Sequence, residues 1–119
     1  MDLVVTVPKW FWREWIAEGD AAGEPETGTE WGFFLGNRGA KPPIEAGDRL
    51  YIVAHNRLRG YAPVTALRDT PHAWAICRKG GGVAVTIPDW IRGFQGFRKR
   101  WWERGNEVAF PDWKTTDVE

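Results

Sequence analysis

Nine tryptophans in 119 residues, beside six phenylalanines and two tyrosines, constrain this chain more than any other feature. An indole carries a large apolar surface and one N–H that needs a partner, so a small core cannot readily enclose nine of them. Some are expected at the surface, where a large aromatic face is costly unless a ligand or partner covers it. At 43% hydrophobic and 27% charged residues the chain is too apolar to be disordered. Its length fits a single domain over residues 1–119.

Charge narrows the choice of partner. Sixteen Lys and Arg balance sixteen Asp and Glu, so no net field steers the molecule toward polyanions or anionic lipid. Any electrostatic preference has to be local. Cys77 is the only cysteine, which rules out an internal disulfide and suits a reducing compartment; the residue reads as a small buried apolar side chain. No apolar run approaches a membrane span and the N-terminus does not read as a signal peptide, so a cytoplasmic location is expected.

Along the chain, Leu3 to Val7 reads as a first strand, and Pro8 opens a helix over Lys9 to Glu18. Helical spacing gathers Phe11, Trp12, Trp15 and Ile16 on one face and leaves Trp10 on the polar side. Gly19 to Glu30 is a surface loop. Trp31 to Leu35 is a second strand, and Leu50 to Ala54, apolar throughout, is the strand expected to be buried on both faces. His55 to Gly60 reads as a polar connection into a strand over Tyr61 to Leu67, with Pro63 placing that strand at an edge or bulge. Trp74 to Arg78 and Val83 to Ile87 flank Gly80-Gly81-Gly82 as a hairpin. Pro88 to Ile91 reads as a short helical turn, Phe97 to Trp102 as a last strand, and Phe110 to Trp113 as a tail pinned by its aromatics. The sum is an α+β fold, mostly β: a small, partly open barrel of about six strands with one or two helices.

The densest chemistry lies in Trp90 to Arg104, where five basic residues meet one glutamate, while acidic residues collect around the first loop. If Phe97 to Trp102 is extended, Arg98, Arg100 and Trp102 share one face, and Phe97, Lys99 and Trp101 the other. Guanidinium groups neutralise phosphates, and indole faces stack on any base. The competing reading is a charged edge strand that resists aggregation, with the tryptophan pair in the core. His55, Asn56 and Arg57 form a donor and acceptor cluster suited to a base edge. Metal chemistry has no support, since His55, His72 and Cys77 lack ligand spacing, and no cofactor motif is present. The chain contains no serine, which removes a serine nucleophile.

The run Thr29-Glu30-Trp31-Gly32-Phe33-Phe34, then Ile44 to Ile52 with its Gly47-Asp48, then Leu58-Arg59-Gly60-Tyr61-Ala62-Pro63-Val64, resembles the PUA-like superfamily, especially its ASCH and EVE branches. The resemblance implies a barrel built around a groove for RNA or a modified base, between the first helix and the barrel wall, with Trp31 at the start of the pocket strand. Some ASCH proteins are amidohydrolases of acetylated cytidine and carry a Gly, a Lys and an Arg after the first helix. Here that segment, Gly19 to Glu26, has no basic residue, which argues against that catalytic apparatus.

The leading expectation is a non-catalytic module for RNA or DNA. Trp31 and either Trp90 or Trp101 would stack, Arg57, Arg92, Arg98 and Arg100 would meet phosphates, and the His55-Asn56-Arg57 cluster would read a base edge. The rivals are a hydrolase of a modified nucleoside with Glu30 or Asp48 as general base, and a protein-interaction module using exposed Trp101 or Trp10.

Overall fold

The computed structural model describes residues 1–7, 30–35, 39–80 and 82–113, with the backbone alone at Trp31. The helix expected over Lys9 to Glu18, Trp10 on it, and most of the loop that follows lie outside the described residues.

The described chain is mostly β. Its nine strands are β1 (Leu3–Thr6), β2 (Trp31–Phe34), β3 (Arg49–Ala54), β4 (Arg57–Pro63), β5 (Ala66–Asp69), β6 (Trp74–Arg78), β7 (Val85–Thr86), β8 (Phe97–Lys99) and β9 (Val108–Ala109). They form three sheets, in the orders β4-β3-β1-β8, β2-β6-β5 and β7-β9, none closed on itself. Among the described residues no helix is long and apolar enough to cross a membrane.

The four-stranded sheet carries the core on both faces. β1 runs parallel to β3 and antiparallel to β8, pairing Val5 with Ile52 on one side and with Phe97 on the other. Alternation then divides the side chains. Leu3, Val5, Leu50, Ile52 and Ala54 pack on one face with Ile76 and Trp113, while Val4, Tyr51 and Val53 pack on the other with Ile87, Ile91 and Trp102. This is why Leu50 to Ala54 is apolar without interruption: each residue is buried, whichever way it points. Each full burial of such a side chain is worth roughly 1.5–3 kcal/mol, so a one-residue slip would exchange the two faces and misplace every one of them.

Several local readings change. The turn after β3 is only His55-Asn56, both at positive φ (50° and 61°), with Ala54 paired to Arg57 across it. Two left-handed residues in a two-residue loop make the type I′ hairpin, whose twist matches that of the strands. β4 therefore starts at Arg57, and Arg59 is the extra residue where the register shifts beside Ile52 and Val53. The strand expected over Tyr61 to Leu67 divides, because the Val64 N–H donates to Asp48 in the first sheet and the Thr65 N–H to Cys77 in the second. Pro63 ends β4, which is an edge strand of its own sheet. The triple-glycine hairpin does not form: β6 pairs with β2 and β5, while β7 pairs with β9. Pro88 to Ile91 shows bends in place of a helical turn. The tail is pinned as expected, with Trp113 buried in the first core cluster.

Candidate functional site

Residues 90–97 run across the end of the four-stranded sheet where the parallel strands β1 and β3 finish. The segment is tied down at the hairpin tip, where the Ile91 N–H donates to the Asn56 carbonyl at 2.9 Å. It is tied again at β1, where the Phe94 N–H donates to Thr6 Oγ1 at 3.3 Å, and it then enters β8. Gly96 takes a φ of 73°, a left-handed conformation that glycine adopts without strain.

Two aromatic and cationic groupings flank this segment. At the hairpin, the Arg57 guanidinium lies 5.3 Å from the centre of the Trp90 ring and 5.0 Å from that of Phe110. Arg59, fully buried, places its guanidinium 5.5 Å from the centre of the same Phe110 ring and donates to the carbonyls of Ala54 and Trp113. Trp90 is 63% exposed, so the grouping ends in an indole open to solvent. At β8, Arg98 stands 4.4 Å over the Phe94 ring, and Phe94 meets Trp101 edge-on at 6.5 Å. Trp101, 50% exposed, packs edge-on against Trp102 at 4.9 Å, and Trp102 against Tyr51 at 5.2 Å.

The second grouping rests on a carboxylate. Glu107, its side chain 6% exposed, accepts from the Tyr51 hydroxyl at 2.7 Å and from Trp102 Nε1 at 2.9 Å, and lies 3.5 Å from Arg49. Burial, and then the neighbouring Glu107, push the Tyr51 phenol up to about 12. The Arg49 guanidinium covers the Tyr61 ring at 4.1 Å. Trp101 thus sits at the open end of a row whose inner members are fixed by hydrogen bonds.

The structure brings His55, Asn56, Arg57 and Trp90 together at the hairpin, and sets Arg98 beside Trp101 through Phe94. Arg92 is exposed on the segment between them. Arg57 pairs with Ala54 on one face of the sheet and Arg98 with Val4 on the other, so the groupings lie on opposite faces, with Arg98 level with Tyr51, three residues back from the sheet end that Arg57 occupies. Arg100 is placed differently: its Nε reaches Asp2 at 3.3 Å and its Nη1 the Trp102 carbonyl. Burial opposes ionisation of Asp2, but hydrogen bonds from Arg104, the Arg49 N–H and Arg100 outweigh it and hold the carboxyl below its usual range. The expected row of Arg98 and Arg100 facing solvent therefore reduces to Arg98. Trp101 also departs from strand alternation, because β8 ends at Lys99 and the ring turns to Phe94 and Trp102. Trp31 opens β2 opposite Arg78, and its side chain is outside the described residues.

A cleft of about 590 Å³ opens beside the second grouping, lined among the described residues by Thr6, Phe33, Phe34, Phe94, Gln95 and Phe97. Phe34 is 60% exposed there. None of these phenylalanines was expected in the site from the sequence; Phe94 was legible as part of the basic and aromatic run, whereas Phe34 read only as part of a strand.

The two carboxylates considered as general bases are committed to cations. Arg68 holds Glu30 through two hydrogen bonds, at 2.5 and 2.7 Å, and lowers it to about 2. The Met1 amino group holds Asp48, also below its usual range. A base working near neutrality needs a pKa nearer the working pH. Among the described residues no cluster of three His, Cys, Asp or Glu side chains could hold a metal ion.

Compared with protein-family models, curated proteins and solved structures, the chain matches none of them.

Proposed function

We propose that this chain is a nucleic-acid-binding module of PUA-like organisation, its sheets forming the wall of a partly open barrel, and that it works in the reducing setting of the cytoplasm. The observation that carries the reading is the pair of exposed indoles, Trp90 and Trp101, each set in a grouping with an arginine on the four-stranded sheet. An exposed indole beside a guanidinium offers stacking for a base and charge for the adjoining phosphate. The phenylalanine-lined cleft next to Phe94 has the volume and planar walls to hold one unstacked base, natural or modified. Trp90 and Trp101 stack, Arg57, Arg92 and Arg98 meet phosphates, and the His55-Asn56 turn borders the path.

Fluorescence anisotropy with labelled RNA and DNA octamers tests this. With three phosphate contacts to a single strand, log affinity falls with log salt at a slope of about −2. Arg98→Ala weakens all sequences alike and makes the slope shallower by roughly 0.7. Binding that ignores salt, or that is unchanged in Arg98→Ala, refutes the reading.

A further inference from the structure

The two groupings differ in position in a way that restricts the ligand. Arg57 lies on β4 and Arg98 on β8, the two outer strands of the four-stranded sheet. Three strand spacings separate them across the sheet, roughly 14 Å at about 4.8 Å each, and three residues separate them along it, roughly 10 Å, because Arg98 is level with Tyr51 and Arg57 with Ala54. Their register partners, Ala54 and Val4, belong to opposite faces of that sheet. The segment from Trp90 to Phe97 joins the groupings by passing over the sheet end, tied to Asn56 and to Thr6 on the way. Arg92 is exposed along that path, and among the described residues neither it nor Arg98 is held in an ion pair.

A ligand that touches both indoles must therefore turn over the end of a sheet and present unpaired base faces at both stops. A duplex meets neither condition: its base faces are stacked within it, and it stays straight over lengths far beyond this protein. A single strand meets both. Those two offsets combine to roughly 17 Å, and at about 3.4 Å per nucleotide this corresponds to about five nucleotides.

Resting on the proposed function, we infer that the ligand is single-stranded nucleic acid, bent over the end of the four-stranded sheet and stacked at Trp90 and Trp101 together, with about five nucleotides as the shortest length that engages both. Shorter pieces reach one indole only. Arg92 and Arg98 neutralise phosphates between the stops.

The test is a length series of oligouridylates of two, four, six and eight nucleotides, with a base-paired octamer for comparison, all competing against one labelled octauridylate at constant salt. Affinity rises by roughly tenfold or more between two nucleotides and six as the second stacking contact forms, then levels off. The duplex binds at least about tenfold more weakly than the single-stranded octamer. Trp90→Ala removes the step, so that affinity no longer jumps between two nucleotides and six, whereas Trp90→Phe, which keeps a ring, retains most of it. Trp90 is mostly exposed, so neither replacement disturbs the core. Equal binding of duplex and single strand, or a smooth rise with length that Trp90→Ala does not alter, overturns this inference and leaves the proposed function standing. No binding to any of these nucleic acids overturns both.

Discussion

Glu107 shows how one side chain can set the position of another it never touches. Its carboxylate takes hydrogen bonds from Tyr51 and Trp102 and an ion pair from Arg49, and Trp102 is the ring on which Trp101 packs. Glu107→Ala leaves a buried hydroxyl, an indole N–H and a guanidinium without their acceptor, at a cost of about 3 kcal/mol measured by urea unfolding. The same contact gives a pH signature. Tyr51 keeps its proton to about 12 in the folded chain, against an ordinary value of 10.0. The unfolded chain releases that proton first, so the stability linked to Tyr51 is complete below pH 10 and is lost as pH rises from there toward 12. Ultraviolet absorbance of tyrosinate during a pH titration checks this, and Glu107→Ala moves the transition to lower pH. None of this was readable in the sequence, because Tyr51 and Glu107 stand 56 residues apart and nothing local in either marks the other.

At the scale of elements, the β3–β4 hairpin is the piece whose reading changed most. A two-residue turn with both residues left-handed is usually announced by Asn-Gly; here it is His55-Asn56, and the glycine falls at Gly60, beyond the turn. The polar run His55 to Gly60 consequently read as loop, although Arg57 to Gly60 is strand and Arg59 is fully buried. Asn56→Gly places the preferred residue at the second turn position, keeps the Asn56 carbonyl contact to Ile91, and stabilises the chain by roughly 0.5–1 kcal/mol, read as a higher urea midpoint. A lower midpoint would mean that the Asn56 side chain itself holds the turn. The strands β1, β2, β3 and β6 were legible because β-branched and apolar runs mark them locally. Which strand pairs with which was not. The triple glycine resembled a hairpin turn, yet β6 found its partners in β2 and β5, a matter of packing between distant segments. The site divides in the same way: the exposed tryptophans and Arg98 followed from the aromatic and basic run, while the loss of Arg100 to Asp2 required a contact spanning 98 residues.

At the scale of the molecule, the first strand occupies an interior place. β1 lies between β3 and β8, and Asp2 beside it receives both Arg100 and Arg104. The face of the sheet that holds Leu3 and Val5 is completed by Trp113. Ending the chain after Gly96 removes β8, the two arginines that pair with Asp2, and Trp113 together, which takes away far more than the 5–15 kcal/mol of a typical domain can spare. Such a fragment should give circular dichroism and nuclear magnetic resonance spectra of an unfolded chain, and a native-like spectrum would show that β1 and β3 suffice without their late neighbours.

The interior place of β1 also bears on how the protein is made. A ribosome adds about 5–20 residues per second, so β1 must wait several seconds for β8, the neighbour that closes its outer side. During that wait Leu3 to Thr6 offers an open ladder to any other nascent chain, and the cell would have to keep it covered until Phe97 to Lys99 has been made.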